Sequence, residues 1–251
     1  MYCQIFLVAL SPVLLIMQDD AAVQEAADTQ RYEYRDVHDP NGIGKFYMGR
    51  EIAHVMGYFA ADWLERDSRE EEERLTLLIR SLKLKPGDVV ADIGAGSGVI
   101  SMMMAERIEP GGQVMAVDIQ KEMLDRLQKR CEAAGVTNVT PVQGGRKTPN
   151  LEPNSIDLAI MVDVYHEFEF PWEMMKEISA AMKPGGRVVL VEYRMEDPAV
   201  PIKLVHKMSQ AQVKKEVARP EFQLTWKETI DALPRQHIIV FEKAADEPPE
   251  E

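Results

Sequence analysis

From Pro86 to Lys243, short apolar runs alternate with longer amphipathic stretches. The runs Asp88 to Ile93, Gln113 to Val117, Val139 to Val142, Ile156 to Val162, Arg187 to Tyr193, Gln223 to Ile230 and His237 to Glu242 are of strand length, and all but Gln223 to Ile230 are rich in Val and Ile, as buried strands require. Between them, Met123, Leu124, Leu127 and Cys131 recur at helical spacing and stop at Gly135, a residue type that tolerates the left-handed closing conformation. Further helices are predicted from Ser97, which is placed to cap the first, near Trp172 to Met182, and over Ser209 to Ala218. Crossovers separate the first five strands, which predicts parallel pairing with right-handed connections. The last two flank the short turn at Leu233-Pro234-Arg235, which predicts an antiparallel hairpin. The fold class expected is α/β: a doubly wound, mostly parallel seven-stranded sheet with an antiparallel last hairpin. The chain divides into an apolar segment and acidic linker (1–39), a helical lid or extension (40–84), the α/β domain (85–243) and an acidic tail (244–251).

Composition narrows the partners. The chain has 251 residues, and 29 basic against 42 acidic side chains leave a net charge of −13. That field repels phosphate backbones, so a small-molecule substrate is expected and nucleic acid is not. Much of the excess acid lies in Glu70 to Glu73 and in the tail from Asp246, read as solvated faces. With only Cys3 and Cys131, neither a disulfide framework nor a cysteine-rich zinc site is available. The fifteen methionines are read as core filler. The apolar segment Ile5 to Met17 has signal-peptide length but no preceding Lys or Arg and no clear cleavage site. It is short for a bilayer span, leaving an export signal, a membrane-surface contact or a packed segment as readings. The oligomeric state is not legible in the sequence.

The candidate chemistry begins at Val89-Val90-Ala91-Asp92-Ile93-Gly94-Ala95-Gly96-Ser97-Gly98. Here a strand feeds a glycine turn and a helix N-terminus, the place where doubly wound sheets bind ligands. Glycine lets a ligand approach the backbone, and exposed turn amides would donate to a carboxylate. A dinucleotide fingerprint needs its third glycine at position 99, which is Val99. Asp118 lies twenty residues beyond Gly98, at the end of the second strand, where a carboxylate accepts from both ribose hydroxyls of an adenosine ligand.

At these residues the chain resembles the class I S-adenosylmethionine-dependent methyltransferases. Asp92-Ile93-Gly94-Ala95-Gly96-Ser97-Gly98 is similar to the family's first motif and Ala116-Val117-Asp118 to its ribose-binding motif. Ser155-Ile156-Asp157-Leu158-Ala159, on to Asp163, resembles the fourth strand, and Met182-Lys183-Pro184-Gly185-Gly186-Arg187 the lead into the fifth. The resemblance implies S-adenosylmethionine as cofactor, with Asp92, Gly94, Ala95, Gly96, Gly98, Asp118, Ile119, Gln143, Gly144 and Asp163 around it. The family usually carries an acidic adenine-contacting residue after the third strand, where this chain has Val142-Gln143-Gly144-Gly145-Arg146; Gln143 or a backbone carbonyl is the substitute. Because this cofactor is made inside cells, it favours a cytoplasmic protein over an exported one.

The segment Asp163-Val164-Tyr165-His166-Glu167-Phe168 resembles the family's loop facing the methyl group and acceptor. His166 is the expected base, since an imidazole titrates near neutrality, with Asp163 beside it; a helix-entry pair without chemistry is the plain alternative for His166 and Glu167. Tyr165 and Glu167, with Tyr47 and Arg50 from the lid (and Glu51 and His54 near them), are the expected substrate contacts. No metal site is expected, because Asp163, His166 and Glu167 with a distant His206 or His54 match no ligand spacing. The function expected is methylation of a small molecule by direct displacement; the alternatives are a non-catalytic adenosine-ligand-binding protein and, less favoured by the glycine spacing, an NAD-dependent oxidoreductase.

Overall fold

Alternate side chains of the central strands enter opposite layers. Val90, Leu158, Ile160, Val189 and Val191 pack in one buried cluster, while Ala91, Ile93, Ala159, Met161, Val188 and Leu190 pack in another. Burial on both faces explains why these strands read as continuous apolar runs. The computed structural model describes residues 31–245; the apolar segment at 5–17 and the tail beyond 245 lie outside the described residues. Among the described residues, no helix is long and apolar enough to cross a membrane.

The central sheet is ordered β10-β11-β8-β7-β4-β5-β6. Its strands are β4 (Val89–Ile93), β5 (Gln113–Asp118), β6 (Val139–Gln143), β7 (Ile156–Val162), β8 (Met182–Arg194), β10 (Leu224–Ile230) and β11 (Gln236–Lys243), and the two-residue β9 (Lys207–Met208) pairs with β8. β4 to β8 pair in parallel, β11 runs antiparallel to both β8 and β10, and the doubly wound sheet with its closing hairpin is the architecture expected. One layer holds α3 (Leu75–Ser81), α4 (Val99–Arg107) and α5 (Lys121–Ala134); the other holds α6 (Pro171–Ala181) and α7 (Gln210–Val217). Gly135 closes α5 with φ 68°, and Ser209 caps α7 by accepting from the Gln212 amide at 3.1 Å. The cap of α4 is Gly98 rather than Ser97, in the left-handed region and with no side-chain cap bond.

The extension departs from the helical expectation in its first half. Tyr32–Tyr34 (β1), Gly42–Tyr47 (β2) and Arg50–Ala53 (β3) form a small antiparallel sheet. Met48 and Gly49 carry positive φ (51° and 94°) between the paired residues Tyr47 and Arg50, the conformation that turns a strand back in two residues. Tyr32, Tyr47 and Ile52 then form a core of their own. Helix follows only in short pieces, α1 (Ala61–Leu64), α2 (Arg69–Glu73) and α3.

Candidate active site

A cavity of about 840 Å³ opens beyond the carboxyl ends of β4, β5, β7 and β8. Its volume lies in the range of small-molecule sites. Gly94 and Gly96 have φ 75° and 54°, and a Cβ on either would lie 2.4 Å from Val164 Cγ2 or 2.5 Å from Leu64 Cδ1. A side chain at either position would have to displace these neighbours, at φ values that residues other than glycine rarely adopt. The turn's amides are used internally: those of Gly94 and Ala95 donate to the Val117 carbonyl (2.8 and 2.9 Å), that of Gly98 to Ala95, and that of Gly96 to Asp118 Oδ2 (2.9 Å). These four amides are therefore not the ligand donors the sequence suggested, and the turn's contribution is room.

Asp118 lines the cavity, with Oδ2 on Gly96 and Oδ1 accepting from the Gln120 amide at 2.8 Å. Each oxygen keeps a second lone pair, and burial pushes the carboxyl above its ordinary value. A ligand with paired hydroxyls fits this carboxylate. Gly144, whose amide donates to the Asp118 carbonyl (2.9 Å), and Ile119 border the same space. Gln143 is not among the residues that border the cavity; its Nε2 donates to the Ile119 carbonyl at 2.6 Å and braces the loop. Asp92 and Ala95 border a separate void of about 30 Å³. The Asp92 carboxyl, pushed up to about 6 by burial, accepts from Ser101 Oγ at 2.6 Å, so it secures α4 to β4. Gly98 stands behind the turn, a would-be Cβ 2.6 Å from Leu127 Cγ.

The roof comes from residues 55–73. Gln120 joins it to the sheet, its Oε1 accepting from the Tyr58 amide (2.7 Å) and its Nε2 donating to the Met56 carbonyl (2.9 Å). Glu65 is clamped by Arg126 and Arg130 of α5. At one end of the cavity stand Arg69, Glu73, Asp163 and Tyr193. Arg69 Nε donates to Glu73 Oε2 (2.7 Å) and the Tyr193 hydroxyl to Glu73 Oε1 (3.0 Å). Glu73 is 2% exposed, which corrects its reading as part of a solvated acidic face. Asp163, at φ 52°, accepts from Gln236 Nε2 at 2.8 Å; burial, with Glu73 and Glu192 near, holds its carboxyl well above the ordinary range.

At the other end, the turns after β7 and β8 bring together His166, Glu167 and His206. His166 Nδ1 lies 2.6 Å from Glu192 Oε2, and its Nε2 lies 3.1 Å from His206 Nδ1. Glu167 accepts from the Met56 amide, 3.3 Å from each carboxylate oxygen. Burial pushes both histidines down to about 4, and raises Glu167 to about 7 and Glu192 to about 8. Both imidazoles are thus neutral at physiological pH, able to accept a proton but not to hold it without a compensating charge.

Three expected substrate contacts lie behind the wall. Tyr47 is buried in the small β-sheet core, and Tyr165 is fully buried against the α6 layer. Arg50 Nε and Nη2 grip Glu216 at 2.8 and 2.9 Å, while its Nη1 donates to the His166 carbonyl at 3.1 Å. Of the expected substrate set, Glu167 alone borders the cavity, next to His166; Asp163, expected beside His166, also borders it but at the opposite end, with Arg69 and Glu73. Arg69, Glu73 and Gln120 went unrecognised. The i,i+4 Arg69–Glu73 pair was the signal available, and it reads equally as a solvated helix pair.

A methyltransferase-domain family model matches residues 84–236. The demethylmenaquinone methyltransferase of Symbiobacterium thermophilum is 27% identical over 117 residues, covering 43% of this chain and 43% of that protein. Ubiquinone/menaquinone biosynthesis C-methyltransferase UbiE of Ectopseudomonas mendocina is 25% identical over 184 residues, 70% of this chain and 69% of that protein. The first curated relatives are matched over only a third to about half of their own length. Among solved structures, a SAM-dependent methyltransferase from Aquifex aeolicus superposes with a TM-score of 0.70 at 19% identity, covering 75% of this chain and 99% of that one. At that identity the likeness concerns the fold.

Proposed function

Because the chain belongs to the methyltransferase-domain family, whose cofactor is S-adenosylmethionine, we propose that it transfers the cofactor's methyl group to a small organic acceptor. The observation that carries this reading is that one roofed cavity holds both the ribose-type carboxylate Asp118 with the glycine turn and, in another part, the His166–Glu167–His206 cluster. A roof of this kind admits a compact acceptor more readily than a folded macromolecule, and its apolar lining by Val55, Trp63, Phe168 and Ile202 suits an acceptor with a largely apolar body. Two relatives are named for quinone-precursor methylation, which agrees with that chemistry.

Bound S-adenosylmethionine supplies a methyl group already activated on a sulfonium, so the protein's tasks are alignment, exclusion of water and proton removal. In this reading Asp118 accepts from the ribose hydroxyls. Arg69 faces the carboxylate of the amino-acid end, and Glu73 with Asp163 faces its ammonium. Residues 55–64 exclude water. His166, neutral and oriented by Glu192, receives the acceptor's proton at Nε2 and passes it toward His206.

Calorimetry with S-adenosylmethionine, S-adenosylhomocysteine and NAD, followed by chromatographic detection of S-adenosylhomocysteine in the presence of small acceptors, tests the reading. We expect the first two to bind and NAD not to. Binding without turnover across a broad acceptor panel would transfer the site to a non-catalytic adenosine-ligand protein, and a preference for NAD would overturn the cofactor assignment.

A further inference from the structure

His166, Glu167 and His206 do more than border the acceptor space. His166 Nε2 and His206 Nδ1 are 3.1 Å apart, and Glu167 Oε1 lies 3.9 Å from the first and 3.8 Å from the second. The point equidistant from these three atoms is about 2.1 Å from each, the length of a zinc bond to imidazole nitrogen or carboxylate oxygen. Three donor atoms from two separate turns, one after β7 and one after β8, thus surround one position at coordination distance.

We propose that His166 Nε2, His206 Nδ1 and Glu167 Oε1 bind a divalent transition metal, with Zn²⁺ the best match. Two imidazoles and one carboxylate form the donor set of an open site, in which three protein ligands leave a further position for water or substrate. All three residues line the cavity, so that position faces the same space as the acceptor. A hydrogen bond between the histidines would require a proton on one of the facing nitrogens; a metal takes both lone pairs.

The surroundings of the three ligands support this assignment. His166 Nδ1 sits 2.6 Å from Glu192 Oε2 on β8. When Glu192 accepts the Nδ1 proton, the Nε2 lone pair is directed at the proposed metal, the arrangement by which a carboxylate orients a metal-binding imidazole. Glu192 is itself steadied by the Tyr165 amide, which donates to its Oε1 at 3.1 Å. The Glu167 carboxylate is held in place by the Met56 amide, and the His166 carbonyl is held by Arg50. The cluster is oriented by partners on the roof, on β3 and on β8.

Metal binding is tested without turnover, and it meets the methyl-transfer reading at one atom: a metal held by His166 Nε2 occupies the lone pair that would otherwise take the acceptor's proton. The full-length protein, stripped with a chelator, would be titrated with Co²⁺ and followed by visible absorption, with S-adenosylhomocysteine affinity measured in parallel as a check on the fold. We expect one Co²⁺ per chain, with the intense bands of a four- or five-coordinate ion, displaced by Zn²⁺. Glu192→Gln should weaken binding about 10- to 100-fold, and Glu167→Gln and His206→Ala should weaken it further, with S-adenosylhomocysteine affinity changed less than about threefold. His38→Ala, a surface histidine outside the cluster, should leave Co²⁺ affinity unchanged. Failure of the stripped protein to bind Co²⁺, or equal binding by wild type, Glu167→Gln and His206→Ala, overturns the site while leaving His166 as the base of the methyl-transfer reading.

Discussion

Arg50 and Glu216 form a buried two-point ion pair, at 2.8 and 2.9 Å, that fastens the small N-terminal sheet to α7 directly beneath the His166 turn. Glu216 is fully buried, so removing its partner would strand a charge away from water. We predict that Arg50→Ala lowers unfolding free energy by about 3–5 kcal/mol, measured by denaturant titration. Arg50→Lys, which cannot supply the paired geometry, should recover only part of it. A loss below about 1 kcal/mol would show that the pair is not a structural clamp.

Asp118→Ala removes the acceptor of the Gly96 and Gln120 amides together with the proposed ribose contact. Charge-assisted hydrogen bonds are worth about 1.5–3 kcal/mol each, so S-adenosylhomocysteine affinity should fall at least 10- to 100-fold by calorimetry. Unchanged affinity would remove Asp118 from the cofactor site.

Gln120 holds the roof by two bonds to its backbone, one to Met56 and one to Tyr58, beside the Glu167 bond to the Met56 amide. Gln120→Ala should loosen residues 55–60 and weaken cofactor binding by several-fold, with little change in global stability. Hydrogen exchange confined to that strip is the diagnostic result.

His166→Ala should lower turnover 100-fold or more, the usual scale of general-base catalysis, with S-adenosylhomocysteine affinity nearly retained. Full activity in the variant would exclude His166 as the base.

Glu65 provides a pH test of the roof. Burial alone would raise its carboxyl, but Arg126 and Arg130 hold it down at about 2. A carboxylate depressed on folding contributes stability that is present above its unfolded value, near 4.3, and is lost as pH falls through its folded value. The stability difference between wild type and Glu65→Gln should be constant above about pH 5 and shrink steadily toward pH 2. A difference that grows on acidification would contradict the clamp.

The order of strands and helices was legible because it depends on local pattern. The apolar runs of β4, β7 and β8 must be buried on both faces, and one residue slipped in either direction would still leave them apolar, so the doubly wound sheet follows from periodicity alone. The glycine turn and Asp118 were legible for the same reason: they are separated by one strand–helix–strand unit whose length is set by the fold. The Tyr47–Arg50 turn was missed because Met48-Gly49 is a weak turn signal beside apolar neighbours that suit a helix equally well.

What chain order could not show is which distant groups share a space. Residues 166 and 167 stand 40 and 39 positions from His206, and no ligand spacing links them; they meet because parallel β7 and β8 end side by side and deliver both turns to one rim. Arg50, whose sequence neighbours suggested a substrate contact, became a structural clamp because α7 brings Glu216 to it. Glu73, in a run of four glutamates, was buried because Arg69 and Arg66 neutralise it under the roof. Sequence determined the scaffold and the glycine turn through burial and period. Tertiary packing decided the His166–Glu167–His206 cluster, because charge and coordination depend on distances that only the assembled sheet sets.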